Sequence, residues 1–167
     1  SALLKRRNKD GQTTLLVGVS YALLDLAERA PLKLEDHVFV METGGMKGRR
    51  KEMVRGELHE TLKKAFGLQA IHSEYGMTEL LSQAYSRGEG LFHTPPWMQV
   101  LFRDPNDPFS FVQAGLTGGL NVIDLANLYS CSFIATSDLG RTNPNGGFEI
   151  VGRFDHSDIR GCNLLVP

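Results

Sequence analysis

The sequence has few of the features that mark the more easily recognised classes of protein. Two cysteines, Cys131 and Cys162, occur among 167 residues, which excludes a scaffold held together by disulfides. No apolar run approaches the roughly 20 residues that a membrane-spanning helix needs. The N-terminal segment SALLKRRNKDGQ lacks the apolar core of a signal peptide. These absences predict a soluble, cytoplasmic protein without a membrane span.

An excess of either charge is also missing. The 18 Lys and Arg residues nearly balance the 19 Asp and Glu residues, so the formal net charge is -1. This balance gives no electrostatic reason to expect nucleic acid or an anionic membrane as a partner. Hydrophobic residues make up 41% of the chain, which is enough for the core of about one domain.

Two common kinds of site have no basis in the sequence. His72 and His93 lack metal-ligand spacing with each other and with either cysteine. No serine lies in the Gly-x-Ser-x-Gly pattern of a hydrolase nucleophile. His72 precedes the segment YGMTE by three residues, and two interpretations of it stay open: a residue that lines a site, or a strand histidine with satisfied hydrogen bonds.

The first 94 residues alternate between strand-like and helix-like patterns. Short apolar runs predict strands over 13–19, 37–41 and 69–75, the first of them buried. Helical spacing and turn residues predict helices over 20–30, 49–66 and 76–85. Ser20 is the expected N-cap of the first helix, and Gly67 is expected to end the second. The pattern predicts an α/β fold with a mostly parallel sheet covered by helices.

Residues 95–167 have a different character. Six of the seven prolines fall in this part of the chain, and seven of the 18 glycines lie between 115 and 152. Short strands are predicted over MQVLFRD, GGLNVIDL, CSFIAT and GFEIVGRF. We therefore predict two subdomains, an α/β sheet over 1–94 and a smaller β-rich layer over 95–167.

Two glycine-containing loops follow predicted strands: ETGGMKG after HVFVM, and YGMTE after AIHSE. Sheets of this kind bind ligands outside the carboxyl ends of their strands. Glycine lets the backbone lie against a flat or charged ligand, and a carboxylate beside a threonine can hold Mg²⁺ next to a phosphate. Asp138, predicted at a strand end in ATSDLGR, would accept from ribose hydroxyls. These residue types fit ATP, although each also occurs in ordinary turns.

The order and spacing of these segments resemble the adenylate-forming superfamily of acyl-CoA synthetases and their relatives. YGMTE is similar to the superfamily's Tyr-Gly-x-Thr-Glu motif, SDLGR to its ribose-binding aspartate motif and GRFD to its hinge motif. TGGMKGRR and GRFDHSDIRGCNLLV resemble segments of the acyl-protein synthetase family, to which the synthetase of the bacterial bioluminescence fatty-acid reductase belongs. The resemblance covers nearly the whole chain. It implies part of the large domain of an adenylate-forming enzyme.

The resemblance implies that ATP and Mg²⁺ are the cofactors. Gly44 and Gly45 would line the adenine pocket, and Tyr75 would pack on the base, with Gly76 in the same nucleotide-binding loop. In the rest of the nucleotide site, the implied residues are Thr78 at the α-phosphate, Glu79 as the Mg²⁺ ligand, Asp138 at the ribose and Arg153 at the nucleotide edge.

Cys162 matches the acyl-accepting cysteine of the family. Its thiolate would attack an acyl-adenylate and form a thioester. The residues alone leave two interpretations open: a small buried hydrophobe, or a nucleophile whose thiolate is favoured by Arg160 and His156 nearby. Cys131, in NLYSCSFIAT, is predicted to be a core residue of a strand.

Two parts of the superfamily have no counterpart here. The Ser/Thr/Gly-rich phosphate loop followed by Lys does not occur, and neither does the mobile C-terminal domain with its catalytic Lys. The resemblance therefore implies that the chain corresponds to the C-terminal half of such an enzyme. We expect the chain alone to bind nucleotide weakly and to have an open sheet edge.

The leading hypothesis is an acyl-protein synthetase that activates a fatty or other carboxylic acid and passes the acyl group to an acyl-CoA reductase or an acyl carrier protein. The basic run KGRRK at 47–51 would attract a phosphate, a coenzyme A tail or an acidic carrier; alternatively it is a solvated first helical turn that opposes the helix dipole. A second hypothesis is an acid–CoA ligase of the phenylacetate type. A third is a truncated, non-catalytic interaction module.

Overall fold

The architecture is that of a computed structural model, which describes residues 2–30, 32–44, 49–50 and 53–154. The chain forms two compact units that divide between Pro95 and Pro96. Both units are built on β-strands, and the first adds helices, so the predicted α/β class is confirmed. The assignment of the nucleotide loops to 1–94 and of an aspartate and a cysteine arm to 95–167 stays a prediction.

The first unit is a five-stranded sheet with helices. Its helices are α1 (Ala2–Arg7), α2 (Ser20–Arg29) and α3 (Arg55–Phe66). Its strands are β1 (Thr14–Val19), β2 (Val38–Thr43), β3 (His72–Tyr75), β4 (Ala84–Ser86) and β5 (Leu91–His93), in the spatial order β1-β2-β3-β4-β5. Strands β1, β2 and β3 are parallel, while β4 runs antiparallel to β3 and β5 antiparallel to β4. The three strands predicted in this part of the chain are confirmed.

Helices α2 and α3 form the core of this unit with the sheet. The fully buried side chains include Leu62 and Phe66 of α3, Val40 of β2 and Ile71 just before β3. Each large apolar side chain buried in this way contributes about 1.5–3 kcal/mol of transfer free energy. Gly67 has a φ of 69° and donates its N–H to the Lys63 carbonyl, so the predicted end of α3 is confirmed.

The starts of both long helices differ from the predictions. Ser20 is the first residue of α2 and not its N-cap, because the cap position is Val19 and no side chain bonds there. Helix α3 begins at Arg55 and not at Arg49. Arg50 lies before it in a bend, where its guanidinium pairs with Asp25 and with Glu28 of α2. The described part of the basic run is therefore no helical turn, and the dipole argument does not apply to it.

No helix forms over 76–85, where one was predicted. The segment turns after β3 and returns as β4, and burial alternates along 80–86, with Leu80, Ser82, Ala84 and Ser86 inside. Alternation with a period of two is the pattern of a strand. Half of the inward residues are serines, so the hydrophobic pattern in the sequence does not show this alternation.

Strand β1 is also less buried than predicted. Leu15 is 55% exposed and Val17 is 50% exposed, because the helices cover only the other face of the strand. Among the described strands β1 pairs with β2 alone, so it forms an edge of the sheet.

The second unit is an antiparallel sheet. Its strands are β6 (Met98–Arg103), β7 (Gly118–Asp124), β8 (Phe133–Thr142) and β9 (Phe148–Arg153), in the order β9-β8-β7-β6, and a 3₁₀ turn spans Leu125–Asn127. The four predicted strands are confirmed. Gly140 allows β8 to approach closely: a Cβ there would lie 2.4 Å from the Glu149 carbonyl oxygen and 2.8 Å from the ring of Phe102.

Two predictions in this unit are wrong. Cys131 is exposed in the turn before β8 and donates its thiol to the Phe133 carbonyl, so it is no core residue. Asp138 lies inside β8 and not at a strand end, because β8 continues to Thr142.

Within the ranges that the structure describes, no helix is both long and apolar enough to cross a membrane.

Candidate functional site

The two predicted nucleotide loops leave the sheet side by side. Strands β2 and β3 are parallel neighbours, and their register pairs Thr43 with Glu74. Gly44 directly follows β2 and Tyr75 is the last residue of β3, so the two are at the same edge. This edge is formed by the carboxyl ends of the parallel strands, where such sheets bind ligands.

Gly44 begins the first loop in a left-handed conformation, with a φ of 69°. Glycine adopts this conformation without the steric cost of a Cβ. Ser20, buried at the start of α2, donates its hydroxyl to the Gly44 carbonyl oxygen at 2.7 Å. The buried hydroxyl therefore fixes the direction in which the loop leaves β2. Gly45 lies outside the described residues.

The second loop combines a buried aromatic ring with exposed polar side chains. Tyr75 is 8% exposed and meets Phe92 of β5 edge-to-face, with ring centroids 6.0 Å apart. Gly76, Thr78 and Glu79 are exposed beyond it. The backbone turns sharply there, since the Leu80 N–H donates to the Met77 carbonyl at 3.1 Å. The hydroxyl and the carboxylate are thus accessible to a ligand at the end of β3.

Glu42 is a buried carboxylate that the sequence analysis missed. It is 3% exposed at the end of β2 and lies 3.3 Å from the Arg55 Nε and 3.6 Å from the His59 Nε2. Burial raises the pKa of its carboxyl, but hydrogen bonds from His59 and Ser73 and the charge of Arg55 outweigh burial and hold the pKa below its usual value. The group is therefore an anion at neutral pH.

Asp138 and Arg153 meet in the second unit, on strands β8 and β9. Their backbones are register partners, and the Arg153 Nε lies 3.1 Å from the Asp138 Oδ1. The aspartate side chain is 15% exposed and the arginine side chain 74% exposed. The ion pair orients the Asp138 carboxylate.

A network that the sequence analysis also missed supports the strand that carries Asp138. Arg103 of β6 donates to the Thr136 carbonyl at 2.7 Å, and the Thr136 hydroxyl accepts from the Asp138 N–H at 3.0 Å. The guanidinium fits because residue 119 is glycine: a Cβ there would lie 2.6 Å from the Arg103 Cζ. Burial lowers the pKa of Arg103.

The predicted site residues thus form two described groups. Gly44, Tyr75, Gly76, Thr78 and Glu79 share one edge of the first unit, while Asp138 and Arg153 pair in the second. His72, on β3, packs against the ring of Phe39 with centroids 5.7 Å apart. Cys162, with Arg160 and His156, lies outside the described residues.

A groove of about 740 Å³ in the first unit does not coincide with this edge. Its lining includes Lys63, Arg87 and His93, and it contains none of the predicted nucleotide residues. The candidate site rests on the loops and not on this groove.

One carboxylate would serve as the protein's Mg²⁺ ligand. No cluster of three or more His, Cys, Asp or Glu side chains that could hold a metal ion occurs in the described ranges. Enzymes bind Mg²⁺ through one or two carboxylates together with water and substrate phosphates. The exposed Glu79 beside Thr78 fits that donor set.

No protein-family model matches the sequence, and no curated protein matches it. Solved structures do. MatB from Rhodopseudomonas palustris with bound ATP superposes with a TM-score of 0.63 at 20% identity, over 84% of this chain and 31% of that chain. A benzoate CoA ligase from Burkholderia xenovorans LB400 gives 0.61 at 19% identity, over 91% of this chain and 33% of that chain.

A third match is the O-succinylbenzoate coenzyme A synthetase MenE from Bacillus subtilis in complex with ATP and magnesium. It has a TM-score of 0.61 at 17% identity, over 91% of this chain and 34% of that chain. The chain thus spans about a third of the length of the structures that it matches. At these identities the likeness shows the fold alone, which is that of the corresponding third of these structures.

Proposed function

We propose that the chain is part of an enzyme that uses ATP to activate a fatty or other carboxylic acid as an acyl-adenylate. The acyl group then moves to Cys162 as a thioester. One observation carries the proposal: the loops at Gly44 and at 75–79 leave neighbouring parallel strands together, in a fold shared with ATP-bound MatB and with an ATP-bound coenzyme A synthetase.

In the proposed site the adenine lies between Gly44 and Gly45 of the first loop and Tyr75 at the start of the second loop. Because the Tyr75 ring is mostly buried against Phe92, the base would meet its exposed edge. The Thr78 hydroxyl would donate to an oxygen of the α-phosphate. Asp138 would accept from the ribose hydroxyls, with Arg153 beside it at the nucleotide edge.

The chemistry has two steps. In the first, the carboxylate of the acid attacks the α-phosphorus and pyrophosphate leaves. A magnesium ion held by Glu79 would offset the charge that develops on the phosphates. In the second step the Cys162 thiolate attacks the acyl carbonyl, the carbon–oxygen bond to the phosphate breaks, and AMP leaves with the electron pair. An acyl-CoA reductase or an acyl carrier protein would then take the acyl group.

A second candidate function is acid–CoA ligation, in which coenzyme A takes the acyl group directly and Cys162 has no role. It is favoured by the matched structures of a benzoate CoA ligase and an O-succinylbenzoate coenzyme A synthetase.

The deciding experiment mixes the protein with a synthetic fatty acyl-adenylate and measures its intact mass. We expect an acyl adduct that is labile to hydroxylamine, maps to Cys162 and is lost in Cys162→Ser. Cys131→Ser is the matched control, since Cys131 is the other thiol and is exposed. This control should label like the unchanged protein.

Three other outcomes would contradict the proposal. Adenylate binding without an adduct would favour the CoA ligase. An adduct on Cys131 alone would indicate nonspecific acylation of an exposed thiol. Neither adduct nor binding would favour the non-catalytic module.

A further inference from the structure

Glu42 lies between the two loops of the proposed nucleotide site and contacts the elements that hold both. Toward the first loop, its Oε2 lies 3.3 Å from the Ser20 hydroxyl oxygen. That hydroxyl donates at 2.7 Å to the Gly44 carbonyl, which is the shorter contact. A hydroxyl has a single proton, which Ser20 shares between the Gly44 carbonyl, at the shorter distance, and the Glu42 carboxylate, so Glu42 orients the hydroxyl as its second acceptor.

Toward the second loop, Glu42 acts through Arg55 and an aromatic pair. The Arg55 Nε donates to the Glu42 Oε1 at 3.3 Å, and the guanidinium lies over the ring of Phe92, 4.9 Å from its centroid. Phe92 is fully buried and meets the ring of Tyr75 edge-to-face. A cation over an aromatic face is attracted by the ring's quadrupole, so Arg55 holds Phe92 in place while it neutralises Glu42.

The remaining contacts hold the carboxylate from α3 and β3. The Oε1 is 3.6 Å from the Nε2 of His59, and the Ser73 hydroxyl lies 3.2 Å from the same nitrogen. His59 is 6% exposed and Ser73 is fully buried. The cluster therefore joins polar side chains from α2, β2, α3 and β3.

A buried ion pair is a poor way to gain stability. Removing a carboxylate from water costs several kcal/mol, and well-packed apolar residues of the same volume are often as stable or more stable. A buried charge does impose directions on its neighbours, because its partners must stay within hydrogen-bonding distance. The Glu42 cluster is therefore better explained by the geometry that it imposes than by the stability that it adds.

We propose that Glu42 is a positioning residue that couples the two loops, holding Gly44 through Ser20 and Tyr75 through Arg55 and Phe92, so that the adenine pocket is formed before the nucleotide arrives. This inference rests on the proposed function. A pocket ordered in advance spares the nucleotide the entropy of ordering it, so the coupling is measurable as affinity.

The test is the dissociation constant of ATP with Mg²⁺, measured by calorimetry well below the melting temperature of every variant. Glu42→Gln keeps the size of the side chain and removes its charge. We expect it to weaken ATP binding by about tenfold or more, which corresponds to about 1.4 kcal/mol. Glu149→Gln is the matched control: Glu149 is also paired with an arginine, Arg141, but it lies on β9 and outside the Glu42 cluster. Its dissociation constant should stay within about twofold of the unchanged protein.

A double-mutant cycle separates positioning from a general loss of stability. Ser20→Ala removes the bond to the Gly44 carbonyl and should also weaken ATP binding. If both residues act on the same loop, Glu42→Gln combined with Ser20→Ala should cost less than the sum of the single changes. If Glu42→Gln does not fold, Arg55→Lys takes its place, because that side chain is one-third exposed and tolerates change. It keeps the charge and loses the planar contact with Phe92, so it should weaken ATP binding too.

Unchanged ATP affinity in Glu42→Gln, or in Arg55→Lys where that replaces it, would overturn the inference and leave the proposed function intact. Fully additive effects in the cycle would also overturn it. If the unchanged protein binds no ATP, the proposed function is wrong. The inference about Glu42 is then wrong as well, because there is no nucleotide pocket for it to order.

Discussion

Thr78 and Glu79 carry the phosphate and metal chemistry of the proposed site from an exposed turn. Their side chains are exposed at the end of β3. Exposed residues of this kind contribute little to the free energy of unfolding, so their substitution separates function from folding. That separation gives the cleanest test of the metal role.

Glu79→Gln is expected to leave the melting temperature within about 2 °C of the unchanged protein, since surface changes are usually within about 0.5 kcal/mol. It should abolish the dependence of ATP binding on Mg²⁺, because the amide replaces the carboxylate ligand. Thermal unfolding measures the first effect, and calorimetric titrations of ATP with and without Mg²⁺ measure the second. An equal Mg²⁺ response in both proteins would exclude Glu79 as the ligand.

The buried Glu42 predicts a pH-dependent contribution to stability. Its pKa is lower in the folded protein than its usual value, so the folded state binds the proton less readily than the unfolded chain does. The stabilisation is therefore fully present above the unfolded pKa of about 4.3 and is lost as pH falls through the folded pKa.

Glu42→Gln should reduce the free energy of unfolding by about 2 kcal/mol at neutral pH, the scale of a hydrogen bond to a charged group. The difference from the unchanged protein should stay level down to about pH 5 and shrink below about pH 4. Urea unfolding of both proteins across this range measures it. A difference that grows as the pH falls would show that Glu42 is protonated in the folded state.

At the scale of elements, α3 offers two glycines with opposite roles. Gly67 ends the helix with a φ of 69°, and a Cβ there would lie 2.8 Å from the Lys33 Cγ. Gly56 lies in the first turn of the same helix, and a Cβ there would meet nothing within 4 Å. Substitution by alanine should therefore change the free energy of unfolding in opposite directions at the two positions.

Gly67→Ala should destabilise the protein by about 1–2 kcal/mol, because an L-residue is strained in the left-handed conformation. Gly56→Ala should stabilise it by about 0.5–1 kcal/mol, since alanine restricts the unfolded chain and favours helix. Thermal unfolding of the two variants side by side checks the pair. Two shifts of the same sign would mean that α3 does not begin and end as described.

The elements that could be predicted from the sequence are those with local causes. Strands β1 and β2 contain short apolar runs, and α3 ends at a glycine because only the local backbone matters there. Strand β4 could not be predicted, because the inward residues include serines both in the strand, at Ser86, and just before it, at Ser82, so they form no apolar pattern. The start of α3 was missed because Arg50 bonds to carboxylates on α2, more than 20 residues earlier in the chain.

At the scale of the whole molecule, the fold class and the placement of the two loops at the carboxyl ends of strands followed from the alternation of strands and helices. The ion pair of Asp138 with Arg153 depends on the register of β8 and β9, and no local sequence pattern predicts that register. Glu42 was missed for a related reason. A carboxylate at a strand end is usually solvated, and only the approach of α3 buries this one.

The register of β2 with β3 has a consequence for how the loops can vary. Both loops start from strands whose hydrogen bonds fix Thr43 opposite Glu74. A slip of two residues keeps every side chain on its face but moves one loop start by about 6.6 Å relative to the other, at 3.3 Å per residue. The register of the two strands therefore sets the distance between the adenine side and the phosphate side of the proposed pocket. Residues added within either loop leave that distance unchanged, whereas a pair of residues added within β3 would change it at once.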